Sequence, residues 1–373
     1  MAPGFTISGQ CHGIALPQGN WTTPALLLAT MGGGICGGPK MTFRLASCVA
    51  LMLLSRIAVA DEPTAAREAI DRGLAFVEQD AVKWRKERTC ATCHHGAMTV
   101  WAMSEAKRQG IDVKPETFAD VVAWTKERLK DIDKPRDTRL GWSMVNSPAL
   151  NLAAMAEAIP QQDALSAEEL RKIAGHLVRH QEAEGQWAWS AAPVANRPPP
   201  FFESDEVATV LGLIDMRPHL PAAPQEKSEF RDSYSKAGAW LAKATPTETT
   251  QSLAYRLFRD VQLKKSAEDL QPQVDRLLAR QNQDGGWGQL KDAASDAYAT
   301  GQALYFLRIA GVPGDREPIQ RGVKFLVSTQ KEDGSWPMVR RGHEGVTPGP
   351  FIIPITYFGS AWGTMGLLRA TGK

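Results

Sequence analysis

Three copies of one short pattern constrain this chain more than any other feature: Gln181 to Trp187, Gln281 to Trp287 and Gln330 to Trp336. Each sets a glutamine six residues before a tryptophan, with a glycine between them. That spacing follows neither the helical period nor strand alternation, so it marks the corner of a repeating unit. Trp187 and Trp287 are 100 positions apart, and Trp287 and Trp336 are 49. The unit is therefore near fifty residues, a repeat length of the kind that builds stacked or closed arrays of helix pairs. A degenerate copy is expected around Gly238, Trp240 and Leu241, without its glutamine and closing tryptophan.

The N-terminal sixty residues read differently. Residues 1–40 form a Gly-rich run with one charge, Lys40, and look like an extension from an upstream start. From Met41 the chain has the order of a secretory signal: Arg44, an apolar stretch from Leu45 to Leu54, then Ala58-Val59-Ala60 before Asp61. Leu45-Ala46-Ser47-Cys48 mimics a lipoprotein box but lies too close to Met41 to follow an apolar stretch. Cleavage after Ala60 removes Lys40, Arg44 and Arg56 and no acid, taking the net charge from +2 to −1. A chain so balanced has no basic surface to recruit nucleic acid. No later apolar run approaches the roughly 20 residues of a membrane span. The expectation is a periplasmic or secreted protein, with residues 61–373 as one helical unit.

Helices are expected in pairs. Ser166-Ala167-Glu168-Glu169 and Ser266-Ala267-Glu268-Asp269 have the form of capping boxes, and Pro115 and Pro148 suit first-helical positions. Asp205 to Ile214 and Asp296 to Ala310 are apolar all round and belong inside, whereas 166–182 and 314–330 carry charge on one face and belong outside. Aligning Ser204-Asp205 with Ser295-Asp296 puts further inner starts at His94-His95, Asn146-Ser147, Glu248-Thr249 and Thr356-Tyr357. This gives six outer and six inner helices, at least ten after Ala60, with no strand over 266–310. Polar residues at the inner N-termini then ring one end of an apolar central cavity, each at the positive end of a helix dipole. The same Ser, Asp, Asn and Thr side chains also serve as ordinary helix caps.

The run Arg321-Gly322-x-x-Phe325-Leu326-x-x-x-Gln330-x-x-x-Gly334-x-Trp336 resembles the QW motif of the squalene-hopene cyclase and prenyltransferase superfamily. Gly285-Gly286-Trp287 and Gly185-Gln186-Trp187 repeat its closing half, and Gly345 to Gly366 is loosely similar to the tail of squalene cyclases. The resemblance covers about 64–371 and implies an all-α, (α/α)6 toroid of about twelve helices. It also implies that Gln330 and Trp336 are structural.

In those cyclases an Asp-x-Asp-Asp cluster protonates an alkene, and Glu203-Ser204-Asp205-Glu206 resembles it with two aspartates replaced. Clustered carboxyls in a poorly hydrated cavity hold protons more tightly. Asp205 is the expected donor, with Glu203, Glu206 and Asp296 as the other catalytic candidates. The cyclases enclose substrate between two helical domains, and this chain has room for one, which points to a shorter isoprenoid or similar lipid. The prenyltransferase zinc pattern is broken: Asp296 matches, but Tyr298 stands at the cysteine position and no histidine opens the helix at Thr356-Tyr357.

A second class of function rests on Cys90-Ala91-Thr92-Cys93-His94, the attachment pattern for c-type haem. Cys90 and Cys93 would form the thioethers and His94 would bind the iron, making the chain a redox or binding protein with an electron-transfer partner. Cys11, Cys36 and Cys48 leave with the N-terminus. A Cys90–Cys93 disulfide and a zinc site using Cys90, Cys93 and His94 or His95 are the other readings. Met98 is one helical turn from His94, on the same side of the helix, and so does not reach the opposite face of the iron. By register, His95 falls where Asp205 and Asp296 fall, at the cavity rim.

Overall fold

The computed structural model describes residues 62–87, 94–130, 132, 143–187, 204–338, 341 and 352–372. The extension, the signal-like segment, Cys90, Cys93 and Glu203 lie outside them. The helices, in chain order, are α1 (Glu62–Glu87), α2 (His95–Arg108), α3 (Pro115–Leu129), α4 (Ser143–Ala158), α5 (Ala167–Arg179) and α6 (Asp205–Met216). They continue with α7 (Glu229–Leu241), α8 (Thr250–Gln262), α9 (Ala267–Leu278), α10 (Ala297–Ile309), α11 (Glu317–Thr329) and α12 (Ile352–Thr371). Among the described residues no helix is long and apolar enough to cross a membrane.

The even-numbered helices pack in a closed ring, α2 to α4 and onward through α12 back to α2, and the odd-numbered ones lie against its outside. Burial follows the composition. Tyr298, Ala299, Thr300 and Leu304 to Leu307 of α10 are all buried, whereas α9 buries only Leu270, Val274 and Leu277, the i, i+4, i+7 face of an outer helix. Ser166 makes the full capping box with Glu169, and the Ser266 hydroxyl accepts from the Asp269 N–H.

The Gln/Gly/Trp corners fasten the two layers. The indole N–H groups of Trp187, Trp287 and Trp336 donate at 2.8–2.9 Å to Leu177, Leu277 and Leu326, each on the outer helix just before its corner. Their backbone N–H groups donate to Thr209, Thr300 and Ser360, each on the inner helix that follows. The glutamine amides reach sideways: Gln181 to Ser233, Gln281 to Pro318 and Gln330 to Ala69, always on the next outer helix around the ring. The corner glycines have φ of +108°, +89° and +85° at Gly185, Gly285 and Gly334, a region open to glycine at little cost. Their α-carbons lie against the backbones of Lys236, Arg321 and Arg72, where a side chain would collide. The last of these joints lands on α1 and closes the toroid.

Several boundaries differ from expectation. Gly238, Trp240 and Leu241 lie in the outer helix α7 itself, where Lys236 meets the preceding corner as Arg321 does at its own. α4 begins at Ser143, so Pro148 stands beyond the first four N–H groups, which need no helical partner. Thr356 and Tyr357 lie one turn inside α12, because the apolar run from Ile352 already packs as helix. A two-residue antiparallel ladder pairs Trp287 with Asp296 and Gly288 with Ser295, where no strand was expected. The corner there folds back on itself before α10 starts, and extended backbone on both arms lets the amides pair.

Aromatic side chains fill part of the ring's interior. Trp101 on α2 meets Tyr305 on α10 with centroids 5.9 Å apart, and Tyr255 on α8 meets Trp362 on α12 at 6.5 Å. Each pair joins helices that are not neighbours in the ring, so they meet across the interior. Phe258 and Phe306 extend the cluster. Beneath it, Glu105 accepts from Tyr305 and pairs with Arg369 at 2.8 Å and Arg108 at 2.7 Å, so the buried carboxylate is fully engaged.

Candidate functional site

The rim formed by the inner N-termini carries three separate polar clusters. The first is at α6 and α8. Ser204, with extended backbone, caps α6 by accepting from the Val207 N–H, which leaves Asp205 inside the first turn. Thr209, one turn on and on the same face, turns its hydroxyl toward Trp187, so Asp205 stands at the edge of α6 that meets the corner. Glu206 is drawn the other way. Its carboxylate accepts from the Thr247 backbone and hydroxyl and from Ser252, and lies 3.2 Å from the Arg256 guanidinium. A cavity of about 290 Å3 lined by Glu206, Arg256, Arg259 and Arg276 opens beside this network. Three donors and a buried ion pair hold Glu206 in a structural role.

The second cluster is built on Asp296. One carboxyl oxygen caps α10 by accepting from the Ala299 N–H at 2.8 Å, and the other accepts from Gln289 at 2.5 Å. Gln289 in turn accepts from Arg341 at 2.6 Å. Loss of water around Asp296 raises its pKa to about 6, against the opposing pull of the Ala299 N–H, Gln289 and Arg341. Near neutral pH this carboxyl is thus poised between acid and base, the condition for general acid work. Asp296 is also a helix cap, so the capping role and the acid role fall on one residue. Beside it, Tyr298 accepts from the Gln251 amide at 2.6 Å.

Asp205 and Asp296 do not converge, because α8 stands between α6 and α10 in the ring. The sequence register aligns them, but the structure shifts their roles by one residue: Ser204 caps one helix and Asp296 the other.

The third cluster surrounds His94 and His95, between α1, α2 and α12. The His95 ring is stacked between Trp84 at 4.4 Å and 11° and Tyr357 at 3.7 Å and 25°. Its Nε2 lies 3.0 Å from the Asp80 carboxylate, and its Nδ1 is in hydrogen-bond contact with Nδ1 of His94. His94 packs edge-on against Trp84. Burial lowers the pKa of both rings, with His95 adding to the effect on His94 and Asp80 opposing it on His95. The Tyr357 hydroxyl bonds Thr99 and donates toward the His95 carbonyl.

Sequence reading brought out His94, His95, Asp205, Glu206 and Asp296, and missed Asp80, Trp84, Gln289, Arg256 and Arg341. Asp80 and Trp84 are one turn apart on α1, a spacing that puts both on one face; nothing in that segment says which helix the face meets.

Comparison with known proteins places this arrangement. Residues 238–371 match the family model of the squalene-hopene cyclase C-terminal domain. Over 190 residues the chain is 28% identical to drimenyl diphosphate synthase of Streptomyces showdoensis, a stretch covering 49% of this chain and 35% of that protein. Over 95 residues it is 33% identical to squalene-hopene cyclase of Zymomonas mobilis, covering 26% of this chain and 14% of that protein. The chain thus spans well under two thirds of the length of either relative. In three dimensions it resembles a type II terpene cyclase from Scytonema, with a TM-score of 0.50 at 14% identity over 83% of this chain and 98% of that one. It resembles a polysaccharide lyase to the same degree, with a TM-score of 0.53 at 11% identity over 82% and 97%. Toroids of this kind host unlike chemistries, so the structural likeness speaks for fold alone. Residues 238–371 are similar in sequence to the squalene-hopene cyclase C-terminal domain, and the helical unit that contains them has the toroid fold found in a type II terpene cyclase.

Proposed function

We propose that the chain is an exported, terpene-cyclase-like protein that binds an isoprenoid or similar lipid and processes it by acid-initiated chemistry. The observation that carries this reading is Asp296: a carboxyl with a pKa near 6, at an inner helix start, within the segment similar to the cyclase domain. Its proton would pass to an alkene carbon, leaving a carboxylate on the protein and a carbocation on the substrate. Loss of a proton from a neighbouring carbon would close the cycle with no net change in composition. Trp101, Tyr255, Trp362 and Phe306 are wholly buried and shut water out of the part of the interior they fill. Asp205 is the other candidate donor, and Glu206, held by Arg256, serves the fold.

The test is incubation of the protein with squalene and with farnesyl and geranylgeranyl diphosphates, followed by product analysis. Turnover of one of them by the native chain, lost in Asp296→Asn and kept in Asp205→Asn, is the expected pattern. Full activity in Asp296→Asn with loss in Asp205→Asn would move the donor to Asp205. Neither binding nor turnover of any of the three would overturn the reading.

A second reading, a redox or binding protein carrying haem on Cys90, Cys93 and His94, is favoured by the hold on His94. Its Nδ1 is engaged by His95, as the distal nitrogen of a metal-ligating histidine usually is. Haem would supply electron transfer, and His94 would offer it Nε2. Protein exported by a host that matures c-type cytochromes should then be coloured and heavier than its polypeptide by one haem. A colourless product of bare polypeptide mass would exclude it.

A further inference from the structure

We propose that the cavity beside Glu206 is a binding site for a phosphate-class oxyanion, either free phosphate or the head of a phosphate monoester. The cavity has a volume of about 290 Å3, with α8 as its floor and the outer helices α7 and α9, together with the segment between α7 and α8, as its walls. It is therefore a notch in the outer layer, separate from the interior of the ring. The proposal is independent of the isoprenoid and haem readings, neither of which gives these residues a ligand.

Charge is the first reason. Three guanidinium groups, those of Arg256, Arg259 and Arg276, line the cavity against a single carboxylate, Glu206. Arg256 and Arg259 are one turn apart on α8 and so share a face, while Arg276 comes from α9. Their side chains are 10%, 23% and 51% exposed, which sets Arg256 deepest and Arg276 at the mouth. The charged groups behind them cancel, since Glu248 and Asp260 are matched by Arg280 and Lys265. Two positive charges are left over at the cavity, and a phosphate monoester carries about −1.5 to −2 near neutral pH.

Donors are the second reason. Each guanidinium is held along one edge: Arg256 by Ser252 and Thr247, Arg259 by Asp260 at 2.8 Å through Nε, and Arg276 by Glu248 at 2.6 Å through Nη2. Among the described residues Nη1 of all three makes no hydrogen bond to the protein, so three oriented donor groups from three side chains border one space. Glu206 does not compete for them. Its Oε2 is taken by Thr247 and Ser252, and its Oε1 lies against Arg256. The arrangement suits a ligand that only accepts, carries two charges and has enough oxygens for several forks, which is the chemistry of phosphate. A carboxylate, with one charge and two oxygens, engages fewer of the three.

The experiment is calorimetric titration of the full chain, at low salt in a buffer free of phosphate and sulfate, with inorganic phosphate, glycerol 3-phosphate and acetate. At least one of the two phosphates should bind saturably and more weakly as sodium chloride is added, and acetate should bind less well. Tighter binding of the ester would assign the site to phosphate monoesters, and tighter binding of inorganic phosphate to the free anion. Arg276→Gln should weaken binding by about tenfold or more, the loss expected for a hydrogen bond to a charged group. Arg276→Lys keeps the charge without the fork and should fall between. Glu248→Gln frees Arg276 from its carboxylate and should tighten binding, whereas a set of purely structural ion pairs would answer the same change only with a lower thermal midpoint. Circular dichroism checks that each variant is folded. No saturable binding of either phosphate, equal affinity in the native chain and Arg276→Gln, or an affinity that Glu248→Gln fails to raise would overturn the proposal.

Discussion

Asp296→Asn should make the protein more stable relative to the native chain as pH rises, while removing the proposed proton donor. Asp296 has a folded pKa of about 6, above the usual aspartate value of about 3.9. For an acid shifted upward, the unfolded chain loses its proton first. The folded state is unpenalised below about pH 4, progressively penalised from there to pH 6, and fully penalised above it. The difference corresponds to on the order of 3 kcal/mol. Asparagine caps a helix about as well as aspartate and cannot ionise; it forfeits one bond with Gln289, a loss of about 1 kcal/mol that does not depend on pH. Denaturant unfolding at pH 4 and pH 7 reads the effect. The variant's stability relative to native should climb by roughly 2–3 kcal/mol between the two, and a constant difference would show that Asp296 is an ordinary ionised cap.

The seam between α10 and α12 predicts the second large effect. A Cβ built on Gly301 would lie 2.1 Å from the Trp362 carbonyl oxygen and 2.7 Å from the Gly363 nitrogen, both backbone atoms that no side-chain rotation can clear. Gly366 faces Gly301 from the other helix, its own Cβ falling 2.7 Å from the Gly301 α-carbon. At an exposed helix site Gly→Ala gains up to about 1 kcal/mol. Here the helices must move apart, and overpacking of this kind costs about 1–3 kcal/mol or more. Trp362 and Phe306 lie on either side of the seam with centroids 5.7 Å apart, so near-ultraviolet circular dichroism should report the displacement. We expect Gly301→Ala to lower the thermal midpoint by several degrees, at about 2–4 °C per kcal/mol for domains somewhat smaller than this. A higher midpoint would mean that the seam yields freely.

The parts of the molecule that were readable from sequence are those whose chemistry is local. A corner needs a glycine with positive φ, an indole that bonds ten residues back and a glutamine that bonds four residues on, all within reach of one another along the chain. Three such corners gave the period, the pairing of helices and the toroid. The glutamine's second bond, to the next outer helix, crosses 52, 37 and 261 positions and left no local trace. Helix starts were readable where a cap marks them, as at Ser166, Ser204 and Thr249. They were misjudged at Ser143 and Ile352, where polar residues one turn inside drew the boundary inward. The site divides the same way. Asp296 stood out by register, but its raised pKa depends on desolvation and on Gln289 and Arg341, and Arg341 is 45 positions on. Asp80 and Tyr357, which hydrogen-bond and stack on His95, lie 15 and 262 residues from it; only folding brings them together.

The joint between Gln330 and Ala69 has a bearing on how the molecule comes apart. In an open array of helix pairs the outermost unit has one neighbour, and fraying starts there and runs inward. Here the last corner grips the first helix as the others grip theirs, with Gly334 seated on the Arg72 backbone just as Gly285 sits on Arg321. Every helix pair around the ring has a neighbour on each side, and no unit is an end. Peeling is denied its starting point, so the toroid must rupture at some seam before any repeat can leave, and resistance to unfolding belongs to the circle as a whole.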